Sequence, residues 1–466
     1  MMNQSMEHVH LIGIGGSGLS AIARVLLERG VVVSGSDRQP SGVTRALQDA
    51  GARVFIGHSE GNVQGADLVV RSSAVSDENV EVIAAQGAGI PVLKRAEFLG
   101  QILEGYRVIA VAGTHGKTTT TAMLSWILTT LGESPSFIIG GMARDLGTNA
   151  RAGSGRLFVI EADEYDHMFL GLSPDIAVVT NVEHDHPDCY PTAEDFYRAF
   201  QQFAGRLKPH GILVGCHDDP GARRLLRDAV QTGQRTLSYG LNHWAPLDGP
   251  NYAARELVPN ARGGFSFEVI QQDRQSAGIQ VDLKIPGRHN VSNALACLVV
   301  IDCLNLPLEK AAQALGQYSG AGRRFEVRGE ARGVIVIDDY AHHPSEIRAT
   351  LAAARSRFPE KNIWAVWQPH TYSRTRTLLS EFATAFENAD HVVVTDIYAA
   401  RENSPANGFS SQQVVENMVH REANYVPGLS QAADYLLDRV QPEAVVLVLS
   451  AGDADQISDL LLRKLG

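Results

Sequence analysis

The amino-acid sequence predicts an α/β fold in three domains with largely parallel sheets. Short apolar runs that read as buried strands alternate with stretches of helical periodicity along the whole chain. Two of those strands run into glycine loops that open a helix, at 13–18 and at 113–116. The length, 466 residues, also exceeds what one core usually organises.

Residues 8–12 (HVHLI) form the first strand, and the helix after the loop carries Leu19, Ile22, Ala23, Leu26 and Leu27 on one face. A second strand over 31–35 ends at Ser36 and Asp37. Gly15, Gly16 and Gly18, with Ser17 between them, provide for a tight turn, close approach to a diphosphate and helix packing, and the acid after the next strand suits a ribose. The residues alone allow a nicotinamide or flavin site, a site for another nucleotide diphosphate, or a purely structural turn. Strands at 54–56, 67–70 and 91–93, the second followed by Ser72, Ser73 and Ala74, complete a Rossmann-like domain over 1–105, with a hinge at 100–106.

The second domain, 106–320, starts with the strand 108–112 and the run Gly113, Thr114, His115, Gly116, Lys117, Thr118, Thr119. Met123, Leu124, Ile127, Leu128 and Leu131 then recur at helical spacing. In this pattern backbone N–H groups around Gly116 approach phosphate oxygens, Lys117 reaches the terminal phosphates and the Thr118 hydroxyl ligates Mg²⁺. Val111 stands where the usual pattern has its first glycine, so this is a P-loop variant, and the domain is expected to bind ATP. A glycine turn with a solvent-facing lysine is the competing reading. It leaves the order of strand, GKT and helix unexplained. Strands at 157–160 and 176–180 deliver the acids of 161–166, among them Glu161, and the cluster Glu183, His184, Asp185, His186. Carboxylates and imidazoles beside a P-loop suit Mg²⁺ ions bridging a triphosphate, although each cluster alone reads equally well as strand-end polar residues satisfied by caps and water.

Asn290 and Asn293, one turn apart before an apolar helix over 294–304, either face a base or phosphate or cap the helix. Residues 320–326 mark the boundary into the third domain, 321–466, and Arg323 and Arg324 there either close on phosphates or form a solvated linker. This domain is Rossmann-like α/β again: the strand 334–337 runs into Asp338, Asp339, His342 and His343, and 363–367 into His370, Arg374 and Arg376. Further strands at 391–396 and 444–450 imply a parallel sheet with right-handed crossovers. Paired histidines are often structural, but the face carrying them with two arginines suits a carboxylate-bearing ligand.

A hydrophobic fraction of 44%, a charged fraction of 20% and a net charge of -11 describe a soluble globular protein and argue against a nucleic-acid partner. No apolar run is long enough to span a bilayer and the start lacks a signal-peptide pattern, so a cytoplasmic protein with no membrane partner is expected. Cys189, Cys216, Cys297 and Cys303 show no metal-like spacing.

GIGGSG at 13–18, GTHGKTTT at 113–120, EADE at 161–164, GRHN at 287–290, GRRF at 322–325 and DDYAHHP at 338–344 together resemble the Mur ligases of peptidoglycan synthesis, in that family's order. The resemblance implies successive domains for a UDP-sugar, ATP and an amino acid. The lactyl carboxylate of UDP-N-acetylmuramate would attack the γ-phosphate, and the amine of L-alanine would displace phosphate from the acyl phosphate. It also implies that the first glycine loop holds the UDP diphosphate, with Gly15, Gly16, Ser17, Gly18, Ser36, Asp37, Ser72, Ser73, Ala74 and His115 serving the UDP-sugar. ATP would be served by residues 113–119 together with Asn290, Asn293, Arg324 and Asp339, and Mg²⁺ by Thr118, Glu161 and His186. Lys117, Glu161, His186 and His342 would act in catalysis, with His342, His370, Arg374 and Arg376 on the amino-acid side.

Later-acting members carry a carbamylated lysine shortly after the position of His186, and no lysine occurs between Pro187 and Leu207, which fits the alanine-adding branch. Tyr165 replaces the serine of many alanine-adding enzymes and also occurs in the ligase that re-attaches recycled murein tripeptide, the alternative activity. Against that relative stands GIGGSG, which it replaces with a cysteine-containing loop. A nicotinamide oxidoreductase would leave the GKT loop unexplained, a nucleotide-driven switch would release phosphate without both co-substrates, and a UDP-sugar sensor would not need Lys117, Thr118, Glu161 and His186. Monomer and homodimer both remain open.

Overall fold

The computed structural model describes residues 7–241, 249–272, 278–400, 402–403 and 408–466, arranged about three sheets. The first has the order Arg53–Ile56, Val32–Asp37, His8–Ile12, Leu68–Arg71, Val92–Lys94, and all its pairings are parallel. Strand order reverses beside His8–Ile12, so the loop after this strand opens at the switch point where such sheets hold ligands. Gly13, at φ +85°, turns the chain so that its N–H and that of Ile14 donate to the Ser36 carbonyl at 2.8 and 3.0 Å. Helix Ser17–Glu28 then buries Leu19, Ile22, Val25 and Leu26 against the sheet.

In the ten-stranded central sheet the strand Arg107–Ala112 lies between Leu157–Glu161 and Ile176–Val179, parallel to both. The two acid-bearing loops therefore leave the sheet on either side of the glycine loop. Three strands at one end, Tyr252–Pro259, Phe265–Gln271 and Ile279–Asp282, are paired antiparallel with one another, and the alternation of buried Phe265, Phe267 and Val269 is the period of a half-covered sheet.

The third sheet runs Glu326–Ala331, Val334–Asp339, Ala444–Leu449, Asn362–Trp367, His391–Val394, Ala423–Tyr425. Only its first strand is antiparallel. Separate apolar layers cover its two faces, one around Ile347, Leu351 and Trp367 and the other around Val336, Leu436 and Leu461. By contrast, one continuous core joins the first two units, running from Ile22, Phe98 and Leu99 into Phe158 and Met168.

Three boundaries differ from the sequence reading. Gly100 lies within helix Arg95–Ile102, which shortens the expected hinge to residues 103–106. Helix Arg288–Cys303 starts before Asn290, behind a Gly287 N-cap at φ 97°, so neither asparagine is the cap. Residues 320–322 are not a free linker: Ala321 bridges Ala143, and the Gly322 N–H donates to the Met142 carbonyl at 2.7 Å. Among the described residues no helix is long and apolar enough to cross a membrane.

Candidate active site

The glycine loop after Arg107–Ala112 is tight because both glycines have to be there. Gly113 has φ 138° and a side chain on it would collide with the Thr180 hydroxyl, while Gly116 caps the next helix at φ 81° with Asn293 Oδ1 lying 2.7 Å from where a Cβ would stand. Helix Lys117–Thr130 begins there. Lys117 Nζ folds back onto its own loop, donating to the carbonyls of Gly113 (2.5 Å) and Thr114 (3.1 Å), and pairs with Glu164 at 2.8 Å. Burial works against its charge, but Glu164 and Asp163 outweigh burial and raise its pKa. Thr118 donates its hydroxyl to Glu161 at 3.0 Å, and the Gly140 N–H donates to the other Glu161 oxygen at 2.6 Å. Burial pushes the Glu161 carboxyl up despite Lys117. A carboxylate in this state beside a hydroxyl gains from a divalent cation, so Glu161 and Thr118 fit Mg²⁺. His186 lines the same cavity, but its Nε2 faces Glu164 at 3.6 Å and Asp185 at 3.7 Å, which against burial raise its pKa, so it would join them as a ligand only on losing that proton.

The third unit closes over this edge through buried charge. Arg374 holds Asp185 through Nε (2.8 Å) and Nη2 (3.2 Å), with both side chains over nine-tenths buried, and its Nη1 lies 3.0 Å from His370 Nδ1. His115 Nε2 meets Glu183 at 3.0 Å and its Nδ1 meets Glu346 of the third unit at 3.2 Å. Burial lowers the His115 pKa, but the charges of Glu346 and Glu183 reverse this and carry it to about 9. His342 is the opposite case. Burial, aided by Arg374, brings it down to about 3 against the pull of Glu346. Its Nδ1 lies 2.9 Å from the Tyr340 carbonyl and 3.3 Å from Glu346, both acceptors, so Nδ1 carries the proton and Nε2 a lone pair.

Two cavities result. One, about 370 Å³, is bordered by Thr119, Asn290, Asn293, Arg324 and Asp339; the other, about 470 Å³, is bordered by Ser17, Lys117, Glu161, His186, His342 and Arg374. His115 and Gly116 line both. Asn293 donates to Asn290 at 3.2 Å and Asn290 to the Pro286 carbonyl at 2.6 Å, which fixes both amides. Asp339 accepts the N–H groups of Phe325 and Ala341 at 2.7 and 2.8 Å, and burial lifts its pKa to about 6.

In the first unit Asp37 accepts the Gly15 N–H at 2.9 Å, and Gly16, Ser17 and Gly18 open the helix. Ser36 is fully buried and gives its hydroxyl to Glu81, so it reaches the loop only through its carbonyl. Ser72 accepts a long 3.4 Å bond from the Ala74 N–H, and Ser73 and Ala74 are exposed beyond it. Arg376 is exposed with its guanidinium 5.2 Å over the Phe409 ring, away from both cavities. Sequence reasoning missed Asp163, Glu164, Glu183, Asp185 and Glu346 as partners and Arg95 altogether. All five acids stand inside or beside motifs it had marked, but only the fold shows which cation each one meets. His115, Glu183 and His343 also bring donor atoms within 4.8 Å of one another. His115 is engaged by two carboxylates and His343 Nδ1 accepts the Ser345 N–H at 3.3 Å, so this trio is the His115–Glu183 ion pair beside a hydrogen-bonded imidazole.

A P-loop buried among acids, a glycine loop at the switch point of one flanking sheet and a charged edge of another define a three-unit enzyme acting on phosphorylated ligands. Residues 8–107 match the model for the Mur ligase family, catalytic domain, residues 111–301 the Mur ligase middle domain, and residues 323–452 the Mur ligase, glutamate ligase domain. The UDP-N-acetylmuramate–L-alanine ligase of Roseiflexus sp. (strain RS-1) is 43% identical over 98% of both chains, and that of Geobacter sulfurreducens 42% identical over 100% of this chain and 99% of its own. The crystal structure of the UDP-N-acetylmuramate-alanine ligase from Thermotoga maritima superposes with a TM-score of 0.81 at 29% identity over 98% of each chain. A murein peptide ligase from Psychrobacter arcticus, at 24% identity and a TM-score of 0.72, shares the fold. The chain belongs to the Mur ligase family.

Proposed function

We propose that this protein joins L-alanine to the lactyl carboxylate of UDP-N-acetylmuramate, with ATP and Mg²⁺ and through an acyl phosphate, in cytoplasmic synthesis of peptidoglycan precursors. One observation carries the reading beyond the relatives' names: a single cavity is bordered by Ser17 of the first unit, Lys117, Glu161 and His186 of the second, and His342 and Arg374 of the third. Three ligands held on three units would meet there, which supports assigning the UDP-sugar to 1–105, ATP to 106–320 and the amino acid to 321–466.

Lys117 would donate to the terminal phosphates once they replace Glu164, and its raised pKa keeps it charged throughout. Thr118, Glu161 and His186 would hold Mg²⁺, which when bound supplies neutralisation of phosphate charge. Asn290, Asn293, Arg324 and Asp339 border the neighbouring cavity, whose size suits the nucleoside of ATP. Most of the first step is then positioning of the lactyl oxygen against phosphorus. For the second step an ammonium has to become an amine. His342, lowered by burial to about 3, would accept a hydrogen bond from that nitrogen at Nε2 while the proton leaves to solvent or to the departing phosphate, and Arg374, spent on Asp185, positions His370 and the wall around them.

The test is ADP release with ATP, Mg²⁺ and UDP-N-acetylmuramate, adding L-alanine in one reaction and the L-Ala-γ-D-Glu-meso-diaminopimelate tripeptide in another. Turnover with L-alanine is the expected result. Turnover with tripeptide alone would overturn it in favour of the recycling activity.

A further inference from the structure

Arg95 stands where the first two units meet and belongs to none of the motifs that point to the ligase reaction. It is the first residue of helix Arg95–Ile102, and its guanidinium occupies the space that Gly18 leaves by lacking a side chain, at the second residue of helix Ser17–Glu28. From there Nη2 reaches across the seam to Asp163 at 3.5 Å. Asp163 sits between the two acids that face Thr118 and Lys117, and it borders both the large cavity over the P-loop and a smaller one of about 70 Å³ lined by Ser17, Gly18 and Arg95. The pair is long, and its side chains are 22% and 38% exposed. Such a pair costs little to open.

A cation lodged against the diphosphate loop, lightly held by an acid on the catalytic side, is placed to exchange partners. We propose that Arg95 leaves Asp163 for the sugar-proximal phosphate of the bound uridine diphosphate, so that it reads the second phosphate of the sugar nucleotide and pairs with Asp163 only while that ligand is absent. The inference rests on the UDP-sugar reading of the first unit. Gly18 is part of the device: any side chain there would expel the guanidinium. Bidentate contact with a phosphate suits an arginine, and a lysine would reproduce only its charge.

The experiment is calorimetric binding of UMP, UDP and UDP-N-acetylmuramate to the full chain without ATP, for wild type, R95A, R95K and D163N, with thermal unfolding confirming that each variant is folded. R95A is expected to weaken UDP and UDP-N-acetylmuramate alike by about 10- to 100-fold, the loss of one charged hydrogen-bonded contact. UMP is expected to be unaffected, R95K to recover part of the loss, and D163N, which frees the guanidinium, to bind UDP as well as wild type or better. Equal binding of UDP by wild type and R95A would overturn the assignment. So would a loss confined to UDP-N-acetylmuramate, which would move the contact to the lactyl carboxylate, or a D163N defect as large as that of R95A, which would make the pair a structural clasp. Failure of the wild type to bind any of the three ligands would instead bring down the sugar-nucleotide reading, and Arg95's role with it.

Discussion

Replacing Arg374 by methionine tests whether the third unit is held in place by buried charge. The guanidinium makes two bonds to Asp185, at 2.8 and 3.2 Å, with 6% and 4% of the side chains exposed. Breaking such a pair from one side costs about 3–5 kcal/mol, most of it the penalty of a carboxylate left buried without its partner. Asp185 would keep the His186 N–H at 2.7 Å and the nearby His186 ring, which places the cost near the lower end, about 3 kcal/mol. At about 1.4 kcal/mol per factor of ten, that is roughly 100-fold. Because the two residues belong to different units, the loss falls on their closed arrangement and is expected in kcat/KM for L-alanine, read by ADP release. D185N should cost about as much, and R374M with D185N no more than either alone, since the second change removes the orphaned charge. An R374M enzyme within about threefold of wild type, or losses that multiply in the double variant, would refute the reasoning.

Lys117→Ala is expected to abolish ADP release while leaving UDP-N-acetylmuramate binding within about twofold in calorimetry, because its contacts lie on the glycine loop of the second unit and on Glu164. Thr118→Val keeps the shape but removes the hydroxyl that meets Glu161, and should raise the Mg²⁺ concentration for half-maximal activity about tenfold with little change in the fold. The His115 bridge has a pH sign. Burial pulls its pKa down, but Glu346 and Glu183 take it from 6.5 to about 9, so its stabilisation is whole below pH 6.5 and lost as pH rises through about 9. Thermal unfolding measured across that window should show a decline that His115→Gln removes.

The strand-and-helix plan was legible because its signals are local. The run 108–112 is apolar throughout and turns into GKT within a few residues, and the observed strand, loop and helix match it. The antiparallel strands Tyr252–Pro259 and Phe265–Gln271 escaped because half of each faces solvent, so neither reads as a solid apolar run. Pairing across the site was illegible for a different reason. Asp185 and Arg374 are 189 positions apart, and Ser345 and Glu183, joined by a 2.6 Å hydrogen bond, are 162 apart. No period or motif links such residues; only the packing of two sheets does. Ser36 shows the converse, a polar residue at a strand end that looked like a ligand contact and is instead turned inward to Glu81.

The charge of -11 makes the cationic site look improbable, yet the site depends on those acids. Each cation around the cavities has a resident carboxylate: Lys117 has Glu164, Arg95 has Asp163, Arg324 has Glu346, Arg374 has Asp185, and His115 has both Glu183 and Glu346. A buried lysine or histidine without such a partner would tend to lose its proton, and an arginine would pay for desolvation. The partners hold these groups charged and aimed before any nucleotide arrives. They also differ in how readily they yield. The pairs at 3.5 and 3.8 Å, on Arg95 and Arg324, are partly exposed and loose, whereas Arg374 and Asp185 are buried and bidentate. If phosphates displace carboxylates as proposed, the loose pairs on Arg95 and Arg324 would open most readily and Lys117 would have to leave its shorter contact with Glu164, while Arg374 and Asp185 would keep each other and hold the units together.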